Sequence, residues 1–116
     1  MSTSAQYAST VQTAQAQIST ANTNRNGTGT IVSVFSAGSS GSRVDDIYIV
    51  ATGTTTANVV RLFISDGSNI RLWQEILVPA NTPSTSNQVF NYALLNQALI
   101  LASGYSLQAS TNNAET

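Results

Sequence analysis

Apolar residues come in short runs from Thr30 onward, and each run is bounded by Gly, Ser, Asn or Pro. Runs of this length, rich in β-branched and aromatic residues, read as strands. The first is Thr30-Ile31-Val32-Ser33-Val34-Phe35, followed by a Gly/Ser loop at residues 38–42. Residues 43–52 form the second, with Val44, Ile47, Tyr48, Ile49 and Val50. Asn58-Val59-Val60-Arg61-Leu62-Phe63-Ile64 is the third. Asp66-Gly67-Ser68-Asn69 is the clearest hairpin signal, and the strand at residues 70–78 follows it. Pro79 and Pro83 bracket a loop. Residues 88–95 form another strand, Leu99-Ile100-Leu101 a short apolar one, and Tyr105-Ser106-Leu107-Gln108-Ala109 the last after a Ser103-Gly104 turn. Short strands at near-regular spacing with no long amphipathic helix predict an all-β domain, a sandwich or barrel of antiparallel strands.

Several of these strands are apolar on both faces. Val59, Arg61 and Phe63 lie on one side of the third strand, and Val60, Leu62 and Ile64 on the other. A small sandwich ordinarily wets one face of each sheet, so such a strand requires a second covering layer. The arm, the loops or a neighbouring subunit could supply it, and a subunit is the expectation.

The pattern changes near residue 25. Residues 1–24 are almost entirely Ser, Thr, Ala, Gln and Asn, and Tyr7, Val11 and Ile18 are the larger apolar positions after Met1. Residues 1–24 therefore read as an N-terminal arm and residues 25–116 as a β-sandwich body. Tyr7, Val11, Ala14 and Ile18 have helical spacing, but the surrounding hydroxyl side chains compete for the backbone and weaken a helix. So weakly apolar an arm cannot offset its own ordering entropy. An extended arm that orders against a partner through Tyr7, Val11 and Ile18 is expected, ahead of a disordered tail or a helix.

Composition narrows the chemistry. Only 8% of the 116 residues are charged, net charge is −1, and cysteine and histidine are both absent. A typical domain carries about 25% charged residues. Disulfides, Cys/His metal sites and histidine-based catalysis are excluded, and with all four basic residues being arginine, so is a lysine Schiff base. Four scattered arginines argue against nucleic acid as a partner, and no apolar run approaches the ~20 residues of a membrane helix. The first residues lack the charged and apolar regions of a secretory signal. No cofactor is expected.

The remaining candidate sites read as structural. Asp45 and Asp46 are adjacent on a strand, point to opposite faces, and cannot form a carboxylate pair. Asp66-Gly67-Ser68-Asn69 lacks the further ligands of a calcium loop and reads as a turn. Arg61, Arg71 and Glu75 flank that turn. Cross-strand pairing could set an arginine beside Glu75 and a guanidinium over Trp73, with the register open by one residue. Phe63 and Trp73 read as packing or interface residues, and Gly53, Gly67 and Gly104 as turn glycines. Trp73, Tyr48, Tyr92 and Tyr105 could instead offer a carbohydrate platform, which core or interface packing outweighs. Asn26-Gly27-Thr28 matches a glycosylation sequon, and Gly27-Thr28-Gly29 lacks the helix of a phosphate loop. No Ser or Thr has a visible base.

Six segments together carry a resemblance: Asn24-Arg25-Asn26-Gly27-Thr28-Gly29-Thr30, Ser42-Arg43-Val44-Asp45, Ala51-Thr52-Gly53-Thr54-Thr55-Thr56-Ala57, Val60-Arg61-Leu62-Phe63-Ile64-Ser65-Asp66-Gly67, Arg71-Leu72-Trp73, and the run from Ser103-Gly104-Tyr105 to Ser110-Thr111. They resemble a family of small tailed-bacteriophage virion structural proteins, associated with capsid decoration (cement). The resemblance covers about residues 22–115. It implies a non-enzymatic capsid decoration protein with a jelly-roll-type sandwich and an extended N-terminal arm. Such a protein is made in the host cytoplasm and carried on the capsid exterior, as a homo-oligomer, a trimer, against the major capsid protein. Family members continue beyond the Asn-Ala-Glu-Thr end with another apolar strand, so a further or donated strand is expected. The alternative function is a tail-fibre or receptor-binding module that recognises host surface glycans.

Overall fold

The computed structural model describes residues 14–39 and 41–114. They form eight strands: β1 (Val32–Ser36), β2 (Ser42–Val44), β3 (Ile47–Val50), β4 (Asn58–Ser65), β5 (Ile70–Val78), β6 (Asn91–Leu94), β7 (Leu99–Leu101) and β8 (Ser106–Thr111). All strand pairs are antiparallel, and they nest: β1 with β8, β2 with β7, β3 with β6, β4 with β5. Residues 32–111 are thus one long hairpin. Its tip then folds back so that β4 hydrogen-bonds to β8, giving a four-stranded sheet in the order β1-β8-β4-β5.

The tip is built by Asp66-Gly67-Ser68-Asn69. The Asp66 amide donates to the Asn69 carbonyl, and its carboxylate accepts from the amides of Ser68 (2.9 Å) and Asn69 (2.6 Å). Gly67 sits at φ 97°, a conformation glycine adopts without a Cβ penalty. The β4–β5 register shifts between Leu62 and Phe63, which leaves Trp73 as an extra residue. Such a bulge reverses the alternation of the strand that carries it. Ile70 and Leu72 therefore share the face of Phe63, while Ile76 and Val78 share the face of Leu62.

Residues 43–52 make two strands rather than the single one expected. The break falls at Asp45-Asp46. There the Asp45 carbonyl accepts from the Gln97 amide (2.8 Å) and the Asp46 carboxylate from the Asn96 amide (3.0 Å). Opposite them Asn96 and Ala98 have positive φ, 54° and 48°. The extra residues on that side kink the ribbon.

The core lies between the sheet and the ribbon. Val60, Leu62, Ile76, Val78, Leu107 and Ala109 point from the sheet, and Leu94 and Leu101 from the ribbon. Ile47, Ile49, Val44, Leu99 and Trp73 close its margin. Leu62, Leu101 and Leu107 are at most 2% exposed. Burying one such side chain contributes about 1.5–3 kcal/mol, which makes this layer contact the main stabilising term.

Candidate functional site

The second face of β4 holds the polar cluster of the molecule. Arg61 and Phe63 are 2% and 0% exposed, yet neither belongs to the core between sheet and ribbon. Residues 21–31 cover them. Ala21 makes a parallel bridge to Thr111, and the Asn22 amide donates to the Thr111 carbonyl (2.8 Å). Further along, Arg25 Nε pairs with Glu75 at 2.9 Å, and Gly27 packs on Ile70 so closely that a Cβ would lie 2.8 Å from its carbonyl oxygen. The strap thus meets Arg61, Glu75 and Ile70, which lie on the same face of the sheet as the fully buried Phe63.

Two side chains hold the strap. The Asn22 amide group donates to the carbonyls of Thr28 (3.0 Å) and Thr30 (2.9 Å), and its oxygen accepts from the Asn24 amide. The Arg61 guanidinium donates from Nη1 to the carbonyl of Asn22 and to Oδ1 of Asn112, both at 3.2 Å. Arg61 lies directly opposite Glu75, with Nε 3.3 Å from Oε2, close enough for an ion pair but without hydrogen-bond alignment. Glu75 thus sits between two guanidinium groups, one buried and one exposed.

The expected residues separate accordingly. Arg61, Phe63 and Glu75 come together under the strap. Trp73 packs against the core on the other side of the sheet, so Arg61 is not stacked on it. Of the arm residues, Tyr7 and Val11 lie outside the described residues. Ile18 packs, half-buried, against the chain's own core rather than facing outward. Asn22, assigned to the arm by composition, is 6% exposed and integral to the body. The covering layer expected from a subunit is, on this face of β4, the chain's own strap. Gly67 and Gly104 (φ 84°) occupy turns that require positive φ. Gly53 lies in a bend without positive φ and with open space where a Cβ would be, so that bend does not require glycine.

Asn22 was missed because its neighbours are polar and its burial is set by a hydrogen bond to a distant arginine. The glycine pair at Gly27 and Gly29, both at positive φ, is the one local sign of a tight loop there.

The outward face of the ribbon is different in kind. Tyr48 is 66% exposed, Val50 59% and Ile100 76%. Arg43 is held by Asp45 at 2.8 Å. A second surface region, residues 79–90, is a loop stiffened by amides: Asn87 donates to Asn81 Oδ1 and to the Thr82 carbonyl, and Asn81 to the Gln88 carbonyl. It borders a shallow depression of about 300 Å³. Among the described residues no three His, Cys, Asp or Glu side chains are grouped to hold a metal. Comparisons with protein-family models, with curated proteins and with solved structures found no match.

Proposed function

We propose that the chain is a structural protein of a tailed-phage virion, a decoration protein that sits on the capsid exterior and clamps neighbouring major capsid subunits. The observation that carries this reading is the outward ribbon face, where Tyr48, Val50 and Ile100 expose apolar surface on a nearly uncharged body. Such a face suits contacts that do not depend on screened charge. Many copies on one shell make individually weak contacts sufficient.

In this reading the nested hairpin is a jelly-roll-type sandwich. The supporting feature is the pairing order, since rolling up one long hairpin yields these nested partners with the tip returned beside the root. The arm expected over residues 1–24 reaches a neighbour in this reading through Tyr7 and Val11, which lie outside the described residues. The assembled unit is a homo-oligomer, a trimer, seated on the major capsid protein.

The tail-module reading would use exposed Tyr, Trp and Asn residues to hold a glycan. Trp73 is half-buried against the core, which removes the indole from such a platform, while Tyr48, Tyr92 and Tyr105 remain exposed.

Quantitative mass spectrometry of purified virions tests the proposal. Decoration predicts on the order of hundreds of copies per particle, as a repeated weak contact requires. A handful of copies would move the protein to the tail, and none would end the virion reading.

A further inference from the structure

We infer that the outward face of the ribbon, centred on Tyr48, Val50 and Ile100, is the docking surface, and that its occupant is a neutral apolar patch on a shell subunit. This rests on the decoration reading and names the surface it uses.

The first argument is the mismatch between pattern and cover. β3 turns Ile47 and Ile49 inward and Tyr48 and Val50 outward, and β7 turns Leu99 and Leu101 inward and Ile100 outward. Strands apolar on both faces belong to layers covered on both faces. The other two-faced strand, β4, has its second cover in the strap. The outward ribbon face has no such cover among the described residues, and its side chains are more than half exposed.

Charge defines the occupant. Tyr48, Val50, Ala93 and Ile100 present no formal charge, and the nearby Arg43 is already paired with Asp45. The exposed Arg43–Asp45 pair carries no net charge, so the face is neutral overall and is best complemented by an apolar protein patch.

Area defines the mode of binding. The exposed parts of Tyr48, Val50 and Ile100 amount to on the order of 350 Å², under half of the ~800 Å² per partner that a standard stable interface buries. That is too little for a durable one-to-one complex, a second copy included, and enough for a contact repeated around a shell. The ribbon is also only two strands wide. Each strand therefore keeps one unpaired edge beside the patch, where a partner strand can add backbone hydrogen bonds.

The test uses phage heads stripped of this protein as the probe and three full-length proteins: wild type, the double variant Tyr48→Asp/Ile100→Asp, and Leu77→Asp. Leu77 is 74% exposed but lies on the strap side of the sheet, so it controls for loss of any exposed apolar residue. Circular dichroism and melting should be unchanged in both variants. Wild type and Leu77→Asp should co-sediment with heads equally at low and at molar salt, and the double variant should bind at least about tenfold more weakly. Equal binding by the double variant would overturn the inference. So would a stable wild-type oligomer that the double variant dissolves, because a second copy would then occupy the face. Failure of the wild type to bind at all would remove the decoration reading, and this inference with it.

Discussion

Arg61 reaches across 39 positions of sequence to donate to the main-chain carbonyl of Asn22, and both residues are buried. A central strand of the sheet is thereby tied to a segment of almost wholly polar composition. The neighbouring Glu75 is a third exposed and also bound by Arg25, so the cluster does not rest on a fully desolvated ion pair.

Replacing this arginine should therefore loosen the strap without unfolding the body. Arg61→Met is expected to cost about 1.5–3 kcal/mol, the range for losing hydrogen bonds from a charged donor. Denaturant melts would read the energy. Trypsin cleavage after Arg25 would read the strap, and it should accelerate relative to wild type. An unchanged cleavage rate would mean that something other than Arg61 holds residues 21–31 in place.

Two glycines should respond oppositely to alanine. A Cβ on Gly29 would lie 2.7 Å from the Asn22 side chain, at φ 85°. Gly29→Ala should cost at least about 1–2 kcal/mol from the left-handed backbone alone. Gly53 has open space around it, so Gly53→Ala should be neutral or stabilise by up to about 1 kcal/mol through the unfolded chain. Thermal melts of the pair decide the matter, and equal shifts would contradict the strap geometry.

Phe63→Ala should be the most damaging single truncation under the strap, at about 3–5 kcal/mol for a fully buried ring. Leu77→Ala, on the same side of the sheet but exposed, should stay within about 0.5 kcal/mol. A small effect at Phe63 would show that its cover is loose enough to collapse into the space.

Acid should weaken the hairpin tip. The Asn69 and Ser68 amides donate to the Asp66 carboxylate and hold its pKa below the ordinary 3.8. A lowered folded-state pKa means that the contribution is complete above the unfolded value and fades as pH falls through the folded one. The stability difference between wild type and Asp66→Ala should thus be constant above about pH 5 and shrink in stronger acid. Carboxyl chemical shifts of Asp66 should give a midpoint below 3.8, and a midpoint above it would refute the turn geometry.

Local patterning exposes most of the strands and little of what joins them. The limits of β5 and β7 coincide with their apolar runs, and the Asp66–Asn69 turn is legible because its chemistry is local. The break inside residues 43–52 is not legible, since it depends on extra residues at Asn96–Ala98 in the partner strand. The bulge at Trp73 is equally hidden, and it decides that Trp73 turns to the core while Leu72 joins Phe63. Two-faced apolarity in β4 correctly signals a second cover. Its source was obscured because the strap gains its place from glycine geometry and carbonyl hydrogen bonds rather than from apolar side chains. The ribbon face carries the same signal, and among the described residues nothing covers it.

The place of β8 in the sheet constrains how the chain can be made. It is an interior strand, between β1 and β4, yet it follows every other described strand in sequence. On a ribosome the β4–β5 tip can zip early, but β1 and one edge of β4 stay bare until residues 106–111 emerge. Closure therefore waits for residues 106–111, and until they emerge the bare strand edges are flanked by hydroxyl and amide side chains, with little of the charge that usually guards an edge.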